Sequence, residues 1–435
     1  MCELWQTKVL GLKFGEQLVV AVCSYSTIKK IFENKTFNAR PKNFFGKLRT
    51  IGKEPGITCA EGRVWVNQRQ FIVRHLRDIG LGKEIMETKI SEKLEDTVDE
   101  ITKNCEAVEV GKLLQHAVIN LIWFLTAGTC IEKNDLQFLR LLNLLERRSK
   151  VFDMSGGLLS QFPWLRFIVP EKIGYNLIIN LNAELKQFLM QTIDEHHRNW
   201  TEGNESDLMY SFISKMKESD SSLRFTNDQL LMICLDLFVA GAHSTSNSLD
   251  YTFLMMLMHS DVQKKVQAEL DSNFDVGHKF KYKDRHKVPY VQAVLLEVQR
   301  YCSVVPIASR RAFEDTTLED YYIPKDTTVL INLHAVLMSK EIWGDPQVFR
   351  PERFLDEKGQ LTVTEQFLPF SMGRRRCLGE AFAKAFLFMF FTEILQQFTI
   401  SLVKSTDAPE LTPSQGILSF PQKYLAKFSR RLVKN

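Results

Sequence analysis

The segment Phe370-Ser371-Met372-Gly373-Arg374-Arg375-Arg376-Cys377-Leu378-Gly379 sets one cysteine between two glycines, beside three arginines and directly before a helix-forming stretch. Each of these neighbours favours a thiolate, the guanidinium groups by charge and the helix start by its exposed N–H groups. Gly373 permits a tight turn, and Gly379 lets a flat group lie close to the backbone. This is a loop suited to presenting an anionic sulfur to a metal. The competing reading is a buried free cysteine beside a basic phosphate-binding loop.

Other spacings carry chemistry of their own. Glu297-x-x-Arg300 puts opposite charges on one helical face, where they can meet each other and a third partner; alone, such a pair is a solvated surface ion pair worth under about 1 kcal/mol. Trp65-x-x-x-Arg69 spaces an indole N–H and a guanidinium by one helical turn, suited to gripping a carboxylate, although core packing with a surface arginine gives the same pattern. In Ala240-Gly241-Ala242-His243-Ser244-Thr245-Ser246, the Ser244 hydroxyl follows the Ala240 carbonyl by one turn. It can bond back to that carbonyl and open the helix slightly. His243, with an unperturbed pKa of about 6.5, is either a proton relay near neutral pH or a histidine satisfied by a neighbouring carbonyl.

These residues need elements to hold them. Thr7 to Leu12 and Gln17 to Cys23 read as two strands around a turn at Lys13 to Glu16. Amphipathic helices are expected near 65–78, 84–104, 111–128, 135–153 and 173–200. A long helix from Thr226 to about His259, opened by the capping-box pattern Thr226 to Gln229 and apolar all round at its centre, should cross the interior. Pro289 opens a helix through Arg300. Strands around Thr317 to Ile323 and Thr328 to Leu333 suggest a second small sheet, 341–367 reads as an ordered meander, and a last helix spans about Leu378 to Phe398.

The chain of 435 residues carries 56 Lys+Arg against 52 Asp+Glu, a formal charge of +4, with acids and bases interspersed. That balance argues against a nucleic-acid binder. The 8 cysteines show neither a secreted staple framework nor a C-x-x-C metal spacing, which implies a reduced, cytosol-facing chain. No window approaches the roughly 18 to 20 uninterrupted apolar residues of a membrane span, so no transmembrane anchor is expected.

Phe370, Gly373, Arg375, Cys377 and Gly379 match in full the signature F-x-x-G-x-R-x-C-x-G, and with it the chain resembles the cytochrome P450 superfamily of haem-thiolate monooxygenases. The resemblance implies a mainly α, single large multihelical fold over residues 1–435, with small β-sheets near the N-terminus and in the C-terminal half. The apolar anchor and Pro-rich hinge of microsomal members have no counterpart before Leu4. It further implies haem b as cofactor, with Cys377 as its metal ligand and Trp65, Arg69, Arg375 and Arg310 on its propionates. The segment Pro306 to Ala312 is one residue shorter than the family pattern, which leaves Arg310 and Arg311 both open. Glu297, Arg300 and Arg353 of Pro351-Glu352-Arg353-Phe354 would form a structural lock.

The oxygen-activating segment of the family, [AG]-G-x-[DE]-T, is matched at 240–244 with His243 in place of the acid and Ser244 in place of the Thr; Thr245 replaces Ser244 if the register shifts by one. Serine lacks the methyl that restricts χ1, so its hydroxyl is held less firmly and poorer coupling of electrons to product is expected. Phe44, Phe45, Phe152, Phe238, Ala242, Val304 to Ala308 and Ile417 to Ser419 would line a pocket for a lipophilic substrate of hormone, terpenoid, steroid or xenobiotic type. The implied reaction inserts one atom of dioxygen, with electrons from NADPH through a flavoprotein reductase. That NADPH-cytochrome reductase would dock on a basic surface of Arg63, Arg69, Arg74, Arg77, Arg374 and Arg376. The aromatic segment Phe162 to Pro170 suits peripheral membrane contact, and the cytosolic face of the endoplasmic reticulum membrane is the implied location. Two alternatives are a haem-thiolate isomerase or dehydratase that needs no oxygen-activating relay, and a non-catalytic haem-binding derivative. The overall texture is closest to insect members of the superfamily.

Overall fold

The computed structural model describes residues 7–14, 17–42, 44–51, 56–78, 84–131, 135–151, 158–159, 162–218, 225–403, 411 and 418–431. β1 (Val9–Phe14) and β2 (Gln17–Val22) pair antiparallel, from Val9 opposite Val22 to Phe14 opposite Gln17. α1 (Tyr25–Glu33) follows, its N-terminus capped by the Ser24 hydroxyl. Amphipathic helices then succeed one another: α2 (Phe44–Arg49), α3 (Gly62–Asp78), α4 (Glu84–Lys103), α5 (Val110–Ala127), α6 (Leu136–Val151), α7 (Tyr175–Asn199) and α8 (Leu208–Lys217). The expected helix spans agree with these within a few residues at each end.

α9 (Asn227–Met258) is the axis of the helical body. The Thr226 hydroxyl accepts the Gln229 N–H at 3.1 Å, the cap read from the sequence. At 1.5 Å per residue the helix runs about 48 Å, with α5 packed along it. Both α5 and α9 are long and apolar enough to cross a membrane by length and composition, yet 67% and 72% of those windows lie buried inside the protein. Their hydropathy serves the core.

α10 (Ser260–Asn273) and α11 (Pro289–Cys302) lead into β3 (Ile307–Arg311), the hairpin β4 (Thr316–Leu318) with β5 (Tyr321–Ile323), and β6 (Thr328–Asn332). The sequence suggested a separate second sheet for these strands; instead, β6 lies parallel to β2 and antiparallel to β3, giving one sheet of order β1-β2-β6-β3. Its cause is burial: Val20, Val22, Val329 and Ile331 fill one apolar cluster beneath α1. Only the β4–β5 hairpin stands apart from it. After the short helices α12 (Leu333–Leu337) and α13 (Lys340–Trp343), α14 (Glu380–Gln397) enters the core with Phe386 stacked on Phe390 at 4.0 Å. β7 (Phe398–Leu402) and β8 (Ala426–Arg430) form a last antiparallel pair.

The segment from α12 to α14 has little regular structure, and a buried ion-pair network fixes it. Glu297 and Arg300 on α11 meet in two bonds of 2.7 and 2.8 Å, both side chains fully buried. Arg353, from the 3₁₀ turn Pro351–Phe354, reaches Glu297 at 3.0 Å, and the Arg350 backbone N–H reaches it at 2.9 Å. The guanidinium N–H groups left over donate to the carbonyls of Leu337, Pro346 and Trp343. Every charge is therefore answered, which a buried network requires. Removing one partner leaves a buried cation uncompensated. Glu297→Ala is expected to destabilise the fold by about 3–5 kcal/mol, read as a fall in the thermal or denaturant midpoint; an unchanged midpoint would refute the lock.

Candidate active site

Cys377 sits in the loop directly before α14, its backbone N–H donating to the Phe370 carbonyl at 3.0 Å. The turn depends on Gly373: its φ is +73°, and a Cβ there would fall 2.7 Å from the Phe32 carbonyl oxygen. A side chain would be both strained and blocked. At Gly379, by contrast, a Cβ would meet no heavy atom within 4 Å. The space over that backbone is open, as expected for a flat group lying against it.

The cysteine opens into a cavity of about 480 Å³, walled by α3, the middle of α9, β3 and the cysteine loop. Its sulfur is less favourably placed for ionisation than the sequence suggested. Burial pushes the Cys377 thiol up from its ordinary value; the Gly379 N–H, Arg69 and Arg376 pull it down, and Glu380 works against them. Arg376 is itself engaged by Glu380 at 2.7 Å, and Arg374 is turned to solvent, so two of the three neighbouring cations are spent elsewhere. Direct metal ligation deprotonates a thiol regardless.

Trp65, Arg69, Arg310 and Arg375, scattered through the sequence, all line this cavity. Arg375 lies over the Trp65 ring at 4.1 Å and donates to the Ala60 carbonyl at 2.6 Å, while its Nε and Nη1 are buried without a partner. Burial, then the neighbouring Arg40 and Arg69, bring its pKa down to about 9. Arg310 is also buried, bonded to the Ser309 carbonyl at 2.8 Å, and held well below its ordinary pKa by burial and by Arg40 and Arg375. Arg69 donates to the Arg376 carbonyl at 2.7 Å.

The structure separates Arg310 from Arg311. Arg311 points the other way, in a pair of bonds to Glu61 at 2.9 and 2.8 Å and a further ion pair with Asp326. Alternation along β3 is the reason, since successive side chains leave opposite faces. Sequence reasoning missed Arg40, which also lines the cavity and bonds the carbonyls of Thr58 and Ser309 at 2.9 and 2.8 Å. Nothing in its neighbourhood distinguishes it from a surface arginine.

On α9 the Ser244 hydroxyl donates to the Ala240 carbonyl at 2.6 Å, as its spacing implied. Ser248 and Thr252 repeat the bond one and two turns later, to Ser244 and Ser248, each at 2.7 Å. Ala240 is open to the cavity in mid-helix, and Thr245 lines it from a buried position. His243 is buried, with Nε2 3.2 Å from the Gln115 amide nitrogen and its ring against Phe420. Burial lowers its pKa to about 4. The Gln115 amide gives His243 the kind of partner that a satisfied histidine needs, a side-chain amide and not a carbonyl.

Several expected pocket residues are placed elsewhere. Val304, Val305, Ile307, Ala308 and Leu418 line the cavity. Phe238 and Ala242 are buried on the other side of α9, Phe238 against Trp123 at 5.6 Å, because the 100° step per residue gives the cavity Leu237, Val239, Ala240 and Gly241 instead. Phe44 packs on Tyr175 and Arg166, and Ser419 bonds Tyr251. Phe152, Ile417 and the Phe45 side chain lie outside the described residues.

The cytochrome P450 family model matches residues 4–428. The chain belongs to the cytochrome P450 family. A probable cytochrome P450 305a1 of Drosophila melanogaster is 39% identical over 98% of this chain and 87% of its own length. A farnesoate epoxidase of Bombyx mori is 32% identical over 99% and 88%, and cytochrome P450 2J5 of Mus musculus 34% over 90% and 78%. As a P450 this chain is a haem-thiolate monooxygenase with protoporphyrin IX as cofactor. The site fits that group: buried guanidinium atoms lack an anion, open space lies over Gly379, and among the described residues no three His, Cys, Asp or Glu cluster to hold a bare metal. A single sulfur suffices when the cofactor brings the other donors.

The neutral state of His243 has a sign. A histidine whose folded pKa is lowered contributes stability that is present above about pH 6.5 and lost as pH falls toward 4. His243→Gln removes that loss, so the drop in denaturant midpoint between pH 7 and pH 4.5 should be smaller by up to roughly 3 kcal/mol equivalent. An equal drop in both proteins would contradict the buried neutral state.

Proposed function

We propose that this P450 oxidises a lipophilic small molecule at the cavity between α9 and the cysteine loop, receiving electrons that originate from NADPH through a flavoprotein reductase. The observation that carries the reading is the convergence on one cavity of Cys377 with buried Arg310 and Arg375, neither of which has a carboxylate partner among the described residues. When bound, the haem activates dioxygen and transfers one oxygen atom to the substrate, the other leaving as water with two electrons and two protons supplied from outside.

Cys377 Sγ would hold the iron. Arg375, Arg310, Arg69 and the Trp65 N–H would hold the propionates, with Arg40 behind them as a fourth cation. Val304, Val305, Ile307 and Leu237 exclude water and give the substrate an apolar wall. The Ser244 hydroxyl, its one proton donated to the Ala240 carbonyl, would turn its acceptor lone pairs toward the cavity and hold a water there, the delivered protons coming from solvent. His243, neutral and engaged by Gln115, orients this turn of α9 and does not exchange a proton near neutral pH.

Two surfaces support the partners. Arg69, Arg74, Arg77 and Arg374 border a shallow groove beside Trp65, on the face behind Cys377, and a basic patch there would steer an acidic flavin domain. Phe162, Trp164, Phe167 and Ile168 are exposed together on one 3₁₀ turn and its flank, which suits insertion at the cytosolic surface of the endoplasmic reticulum membrane. The farnesoate epoxidase among the relatives supports a terpenoid-like substrate.

The carbon monoxide difference spectrum of the reduced protein tests the core of the reading: a strongly red-shifted Soret band is expected, and its loss in Cys377→Ser. A band typical of a neutral ligand in the unaltered chain would sink it. In phospholipid vesicles carrying the reductase, Ser244→Thr should raise product formed per NADPH consumed by restricting χ1, and Trp164→Asp should lower vesicle binding. No NADPH-dependent turnover would favour the isomerase or the non-catalytic alternative.

A further inference from the structure

The C-terminal segment that borders the cavity is held from α9 by side chains that do not reach the cavity themselves. Leu418 and Phe420 line it, and Ser419 between them is buried. Asn247 Nδ2 donates to the Ser419 carbonyl at 3.0 Å, and the Tyr251 and Ser419 hydroxyls are bonded at 2.6 Å. The Ser419 N–H donates to the Val304 carbonyl at 2.9 Å. One residue thus has its N–H, its carbonyl and its hydroxyl all engaged, and its two neighbours are left facing the cavity.

Helical spacing accounts for the grip. His243, Asn247 and Tyr251 follow one another at four-residue intervals and so share one face of α9. The His243 ring meets Phe420 edge to face, with centroids 5.7 Å apart. Farther along, the Tyr424 hydroxyl donates to the Asp250 carbonyl at 3.0 Å before the chain enters β8. Val304 is an equally fixed point, because it follows α11, whose last turn carries Arg300 of the buried ion-pair network. Asn247 and Tyr251 are buried, and neither is a lining residue of the cavity. They act on it only through the segment they hold.

We infer that Asn247 and Tyr251 are positioning residues for substrate selection: by pinning Ser419 they set Leu418 and Phe420 beside Val304 as one apolar wall, which admits slender ligands and turns away wide ones. This rests on the cavity being the monooxygenase site proposed above. A segment outside regular structure keeps backbone and side-chain freedom unless specific bonds remove it. Here the bonds to Asn247, Tyr251 and Val304 remove it at the residue between the two lining side chains. The stiffness of the wall then matters as much as its composition. A wall that can retreat accommodates a wide ligand at little cost, whereas a fixed one meets it with steric overlap, and selectivity comes from that rejection.

Absorbance titration of the haem-loaded protein with two iron-binding imidazoles of different width, 1-decylimidazole and the triaryl clotrimazole, reads selection without relying on turnover. Phe420→Ala should raise the affinity for clotrimazole relative to 1-decylimidazole by about tenfold. Tyr251→Phe and Ser419→Ala each delete one hydroxyl of the same bond, and each should move that ratio in the same direction by about three- to fivefold. The double variant should move it no farther than either single one, since both substitutions remove one shared interaction. A ratio unchanged in the two hydroxyl variants, an equal loss of affinity for both imidazoles, or additive shifts in the double variant overturns the inference. A lowered thermal midpoint with an unchanged ratio is the purely structural outcome and overturns it too. The carbon monoxide band recorded on the same preparations separates the two levels. A normal red-shifted band with an unchanged ratio removes the pin and leaves the monooxygenase site standing, and absence of the band from the unaltered protein removes both.

Discussion

Positive charge buried faster than the protein can neutralise it is the constraint on which the rest of this structure depends. Arg40, Arg310 and Arg375 stand close enough to lower one another's proton affinity, yet among the described residues their guanidinium groups donate to backbone carbonyls, those of Thr58, Ser309 and Ala60. Carbonyl dipoles orient a guanidinium but do not cancel its charge. Anions bound there would find donors already in place, and their binding would add to the stability of the fold by mass action.

Rigid surroundings make that arrangement tolerable. α9 and α14 enter as apolar rods and fix the floor and one wall, while the Glu297–Arg300–Arg353 network immobilises the irregular chain that delivers the cysteine loop. The two ionic assemblies differ in kind. In the lock every donor has an acceptor from the protein; at the cavity, Arg375 Nε and Nη1 have none. That contrast distinguishes a charge cluster that serves the fold from one that awaits a ligand.

Much of this was legible in the residues. Period-3.6 patterning located α3 to α7 within a few positions because each buries a stripe against a common core, and Thr226 and Pro289 marked helix starts through local chemistry alone. The cysteine loop and the Ser244 back-bond could be read for the same reason, their geometry being set within a turn or two, whereas Trp65, Arg69 and Arg375 were singled out by the family resemblance. What could not be read is set at long range. The joining of β2 to β6 depends on apolar faces some 300 residues apart in sequence. The place of Arg40 on the cavity wall, the Gln115 partner of His243, and the inward turn of Phe238 depend on which helices meet, and no local pattern tells a cavity arginine from a solvated one. The rise of the Cys377 thiol likewise comes from desolvation, which neighbours in sequence do not reveal.

The sheet has a consequence for synthesis. Val19 to Val22 can complete their parallel pairing only with Thr328 to Ile331, and a ribosome adding about 5–20 residues per second needs roughly 15–60 s to produce the intervening chain. For that interval the β1–β2 hairpin has an unpaired inner edge, a template for association with other chains. The sulfur-bearing loop emerges later still, after β6 and α13. The order of translation therefore puts sheet closure ahead of the cofactor, and a nascent chain must keep one edge strand covered for most of its time on the ribosome.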